Sequence, residues 1–105
     1  METLKSTEQF NQLKKNENVI FVFSAGWCPD CRVIEPILPE IEEMYKTFKF
    51  IEVNRDDFIE LAQDEDIFGI PSFLAFMNGE EAGRFVSKDR KTKEEIIQFI
   101  DSFAK

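Results

Sequence analysis

Residues 19–23, Val-Ile-Phe-Val-Phe, form an unbroken run of β-branched and aromatic side chains. A strand with one wet face alternates apolar and polar residues, so a run without alternation predicts a strand covered on both faces. Such a strand belongs in a sheet with parallel pairing, sandwiched between helices. The rest of the chain supplies those layers. Ser6-Thr-Glu-Gln9 reads as a capping box opening a helix to about Lys15, with Phe10 and Leu13 inward. Ile34, Ile37, Leu38, Ile41 and Tyr45 recur at helical spacing, and Pro36 and Pro39 within that pattern predict a kink. A strand over Phe48 to Val53 and an acidic helix from about Asp57 to Glu65 follow. Ser72 to Met77 and Glu81 to Val86 flank Asn78-Gly79-Glu80, a hairpin signal. Thr92-Lys-Glu-Glu95 is a second capping box, opening a last helix to about Phe103. A βαβ unit joined to a ββα unit predicts an α/β domain over residues 1–105, with a mixed sheet between two helical layers.

Composition narrows the chemistry. The 105 residues carry a net charge of −8 and no histidine. That balance argues against a nucleic-acid partner, which requires a basic face, and it removes histidine-based catalysis. No stretch approaches the roughly 20 apolar residues of a membrane span, and the first residues show no apolar leader. The expected address is therefore cytoplasmic, a compartment that keeps thiols reduced.

The two cysteines, Cys28 and Cys31, are three positions apart, where the buried strand turns into a helix. In a reduced compartment such a pair reads as a redox site. The attacking species is a thiolate. At a helix start, unpaired backbone N–H groups and the helix dipole favour negative charge on the first cysteine. Cys31, one turn further, can reach the first sulfur and resolve a mixed disulfide. A structural disulfide, a zinc half-site completed by a second copy, and two ordinary buried thiols are the competing readings. Trp27 beside the pair and Ile70-Pro71 further on weigh against the last of these.

With those landmarks the chain resembles a thioredoxin over nearly its whole length. The matching residues are Phe23-Ser-Ala-Gly-Trp27-Cys28-Pro29-Asp30-Cys31-Arg32, Pro36, Val53-Asn54, Gly69-Ile70-Pro71-Ser72 and Asn78-Gly79. The Trp-Cys-Pro-Asp-Cys variant is most similar to thioredoxin-like proteins of the Firmicutes. The resemblance implies the thioredoxin fold, a central mixed sheet of four or five strands flanked by four helices. It also implies a cis bond before Pro71 ahead of the hairpin, with Cys28 as nucleophile and Cys31 as buried resolving thiol. Substrate would lie against Trp27, Pro29, Asp30, Gly69, Ile70 and Pro71, with the turn at Val86-Ser87 lining the same groove. No bound cofactor is implied. The redox-active disulfide would be reduced by a flavin-containing, NADPH-dependent thioredoxin reductase, or by a low-molecular-weight thiol. Disulfide-containing proteins would be the substrates, and a monomer the usual state.

Three departures from the family pattern bear on mechanism. The family's buried Asp, six residues before the first Cys, is Val22 here, and its Lys, two residues before the Asn, is Glu52. Glu52 interrupts the apolar run Phe50, Ile51, Val53. A carboxylate buried without a cation binds its proton more tightly, which suits proton transfer with Cys31; the alternative is a strand-end glutamate with its head in water. Pro29 fits a first helical turn. Asp30 favours the helix start, yet its charge opposes a thiolate at Cys28. Finally, Ser87 to Lys93 holds four basic residues and one acid, and Arg32 and Arg55 are expected on the same rim. That segment is either a solvated loop or a rim that steers acidic substrates.

The reading that follows is a thioredoxin-like protein-disulfide reductase. A reductase specialised for mixed disulfides with low-molecular-weight thiols is the near rival. A binding module with incidental thiols is the rival of another class.

Overall fold

The computed structural model describes residues 1–104. It contains a five-stranded sheet in the order β1-β3-β2-β4-β5, with β1 at Glu2–Thr3, β2 at Val19–Ser24, β3 at Lys49–Asn54, β4 at Ser72–Met77 and β5 at Glu80–Phe85. β2 is central. It pairs in parallel with β3 and antiparallel with β4, and Val19 to Phe23 are at most 1% exposed. The absence of alternation in the sequence thus has its expected cause, because the two faces of β2 feed two different cores. Val19, Phe21 and Phe23 join Phe10, Leu13, Ile51, Leu61 and Leu74 on one side. Ile20 and Val22 join Ile34, Ile41, Phe50, Ile96 and Ile100 on the other. Helices α1 (Thr7–Asn16) and α4 (Ile59–Asp64) cover the first face. α2 (Pro29–Ile34), α3 (Leu38–Met44) and α5 (Lys93–Asp101) cover the second.

This is the thioredoxin fold, with differences of detail from the sequence reading. The fifth strand, β1, is two polar residues that pair in parallel with β3. The kinked helix is three segments, in which a 3₁₀ turn at Glu35–Ile37 separates α2 from α3. Pro36 and Pro39 occupy the starts of the later two, where a missing N–H does least harm. At α1 the Ser6 hydroxyl accepts from the Gln9 N–H. The return bond of a capping box goes instead from the Lys5 N–H to Gln9 Oε1. The box at Thr92 and Glu95 is complete. α4 begins at Ile59 rather than Asp57, because Asp57 and Phe58 donate their N–H groups into a turn at Asn54. The hairpin turns through Asn78 and Gly79 at φ of 55° and 82°, as an Asn-Gly turn of two left-handed residues requires. Among the described residues no helix is long and apolar enough to cross a membrane.

Candidate active site

β2 runs directly into the cysteine turn, so the dithiol stands at the end of the most buried strand of the fold. Cys28 is the N-cap of α2, and its Sγ accepts the Cys31 N–H at 3.2 Å. An N–H from the first turn is the donor that a thiolate at this position needs. Opposite, the Cys28 thiol points at the Ile70 carbonyl, 3.9 Å away. The Ile70–Pro71 peptide bond is cis, and Ile70 packs on Ala25, Cys28 and Cys31. The two cysteine residues are almost equally buried, at 4% and 5% exposure. Burial, and then the Cys28 sulfur beside it, push the Cys31 thiol up to about 12, so Cys31 stays protonated at neutral pH.

Glu52 lies directly across from Val22 in the β2–β3 register. It is half-buried, and its Oε2 accepts from the Ser24 hydroxyl at 3.0 Å. Glu52, Ser24, Val22 and Cys31 line one cavity of about 530 Å³ that reaches under α2. A carboxylate on β3 thus stands beside Val22 and faces a cavity that Cys31 also lines.

Trp27 is 61% exposed. Its Nε1 donates to Asp56 Oδ2 at 2.8 Å, and the Arg55 guanidinium lies 5.4 Å from its ring centroid. Gly69 approaches the loop after β5 so closely that a Cβ there would sit 2.5 Å from the Ser87 carbonyl oxygen. Ser87 therefore meets Gly69 through its backbone. Val86 faces inward, against the α1/α4 core. The exposed cation beside Gly69 and Ile70 is Lys88.

The basic segment divides into three kinds of residue, neither uniformly solvated nor uniformly rim. Arg90 crosses to the cysteine turn and pairs with Asp30 at 3.1 Å, which offsets the charge that opposes a Cys28 thiolate. Arg32 is turned back onto the Gly26 carbonyl, which it reaches through both Nε and Nη2, and Lys93 pairs with Glu40. Lys91 is 1% exposed, contrary to the expectation for either reading. Its ammonium donates to the Ser87 and Asp89 carbonyls and the Ser87 hydroxyl at 3.0–3.2 Å. It also lies 5.0 Å from the Phe85 ring centroid. Burial lowers its pKa, against the opposing charge of Asp89. A lysine wrapped by its own loop carries little signal in the sequence, because two of its three partners are backbone carbonyls.

The thioredoxin family model matches residues 1–102. A thioredoxin of Alternaria alternata is 31% identical over 100 residues, 93% of this chain and 85% of its own length. A mitochondrial thioredoxin of Schizosaccharomyces pombe is 33% identical over 75 residues, 71% of this chain and 56% of its own. The chain thus spans less than two thirds of some curated relatives. A thioredoxin structure from Plasmodium falciparum superposes with a TM-score of 0.87 at 26% identity, over 99% of this chain and 100% of the other.

Proposed function

The chain belongs to the thioredoxin family and is a protein-disulfide reductase of that kind, and we propose that it reduces disulfides of cytosolic proteins through Cys28 and Cys31, acting as a monomer. The observation that carries the mechanism is the asymmetry of the dithiol. Cys28 receives a helix-terminal N–H, whereas Cys31 is held as a thiol.

In the first step Cys28 thiolate attacks one sulfur of the target disulfide. A Cys28–substrate disulfide forms, and the other substrate sulfur leaves as a thiolate that takes a proton from water. In the second step Cys31 loses its proton and attacks Cys28 Sγ. The Cys28–Cys31 disulfide forms, and the second substrate thiol is released. The substrate has gained two electrons and two protons. The backbone at Ile70, beside Cys28 and just ahead of β4, is where substrate backbone would pair. An external donor returns the two electrons. The family's donor is a flavin-dependent thioredoxin reductase drawing on NADPH, and we assign that role here too. The cytosolic address rests on the reducing poise such a cycle requires, and the Trp-Cys-Pro-Asp-Cys variant supports kinship with thioredoxin-like proteins of the Firmicutes.

The second step needs a proton acceptor, because burial holds Cys31 as a thiol at neutral pH. Glu52, on the shared cavity, is the carboxylate placed to serve through water. Glu52→Gln is expected to slow release of the mixed disulfide about tenfold or more at neutral pH. The deficit should shrink as pH rises and Cys31 ionises unaided. A release rate equal to wild type from pH 6 to 9 would return Glu52 to the role of a wet strand residue.

The overall reading is tested by insulin reduction, with NADPH and thioredoxin reductase in one arm and dithiothreitol alone in the other. Turnover in both arms is expected. Turnover with dithiothreitol alone would mean a different electron donor, and turnover in neither would leave the binding-module reading.

A further inference from the structure

The 240 Å³ pocket beside Ile70 has an apolar wall and two cations. Trp27, Ile67, Phe68 and Ile70 form the wall, and Arg55 and Lys88 supply the charge. Phe68, at 65% exposed, is the most exposed large apolar side chain of the described residues, with Trp27 close behind at 61%. No residue lining the pocket is acidic. A carboxylate does stand beside Arg55, namely Asp56, whose Oδ1 is 3.4 Å from Arg55 Nε. That pairing is incomplete, since Arg55 Nε is buried and makes no hydrogen bond. Asp56 is engaged as well by the Trp27 indole N–H through its other oxygen.

These facts belong together. The protein carries a net charge of −8, so its average field repels acidic partners. The other cations near the dithiol are already taken. Arg90 is spent on Asp30, Arg32 on the Gly26 carbonyl, and Lys91 on its own loop. Arg55 and Lys88 alone of this set face the pocket. Ile70, whose carbonyl faces the Cys28 thiol, forms part of its wall. A group bound there therefore lies within a residue or two of the reacting disulfide.

The geometry points to a carboxylate subsite: Arg55 and Lys88 bind an Asp or Glu side chain of a substrate protein, close in sequence to the cysteine that Cys28 attacks. The planar guanidinium suits a carboxylate. The exposed Trp27 and Phe68 rings suit an apolar neighbour on the same extended segment. The volume is that of one or two side chains, and a peptide backbone laid along Ile70 would bring one in. The subsite deepens the reductase reading and rests on it.

Two peptide disulfides test it, identical except for Glu or Gln two residues from the target cysteine. They are reduced by the full chain as wild type, Arg55→Gln, Lys88→Gln and the double variant. Wild type should prefer the Glu peptide. The double variant should lose about tenfold in kcat/KM for that peptide, each single variant a few-fold, as for partly exposed charge pairs. The Gln peptide should change less than twofold with every variant, and 0.5 M salt should erase the wild-type preference. Equal losses on both peptides, or an unchanged preference in the double variant, would overturn the subsite while leaving the reductase intact. A preference confined to an acidic small-molecule mixed disulfide, absent from the peptides, would overturn it too. If wild type reduces neither peptide, the reductase reading itself fails.

Discussion

Cys31→Ser is expected to stop turnover at a covalent intermediate. Cys28 would still attack, because the backbone N–H that reaches its sulfur comes from residue 31 whatever its side chain. The resolving sulfur would be gone. Intact-mass spectrometry of Cys31→Ser with a disulfide substrate should show one substrate thiol attached at residue 28, with insulin reduction at the level seen without protein. Cys28→Ser should give neither adduct nor turnover, since the remaining thiol is buried, and burial disfavours its thiolate. An adduct on Cys31 in Cys28→Ser at neutral pH would reverse the assigned roles. Retention of the cellular function by Cys28→Ser would make the thiols incidental.

The largest loss of stability is expected at Phe21. Its ring is fully buried at the centre of β2. Its centroid is 4.4 Å from that of Phe10 and 6.0 Å from that of Phe76. Both neighbours belong to other elements, so the space left by truncation cannot close by a local movement. Phe21→Ala should lower the unfolding free energy by about 3–5 kcal/mol. Against a total of roughly 5–15 kcal/mol, that leaves a fraction of the original margin. Urea denaturation followed by far-UV circular dichroism measures it, and a loss below about 1.5 kcal/mol would mean that the neighbouring rings refill the site. Reductase activity per folded molecule should be preserved, because Phe21 lies on the α1/α4 side of the sheet and the cysteines form a separate cluster.

Much of the architecture was legible because it follows from period and punctuation. Val19 to Phe23 announced a doubly covered strand, Pro36 and Pro39 the broken helix, and Asn78-Gly79 the hairpin. Each is a local steric fact. β1 was not legible, since Glu2 and Thr3 carry no strand pattern and are ordered by the free edge of β3. At the site, Cys28, Cys31 and Pro71 could be placed from spacing and resemblance. The departure from the family pattern was visible at Val22 and Glu52, but their direct opposition needed the register. The contacts of the basic segment were hidden entirely. Arg90 and Asp30 are 60 residues apart in sequence, and charge alone suggested solvent for Lys91 where the fold provides an interior.

The buried Lys91 resembles a cation in a crown ether more than a residue in a salt bridge. Its host is a ring of carbonyl and hydroxyl oxygens contributed by Ser87 and Asp89. The guest fixes the shape of the loop, and it does so through main-chain atoms and one small hydroxyl. The side chains of Lys88 and Arg90 have no part in that ring. The loop is thus a mount with interchangeable fittings, in which the outward residues can be exchanged without moving the backbone that faces Gly69. Substrate preference and groove geometry are then separately mutable, and a new preference can arise here without rebuilding the site that performs the exchange.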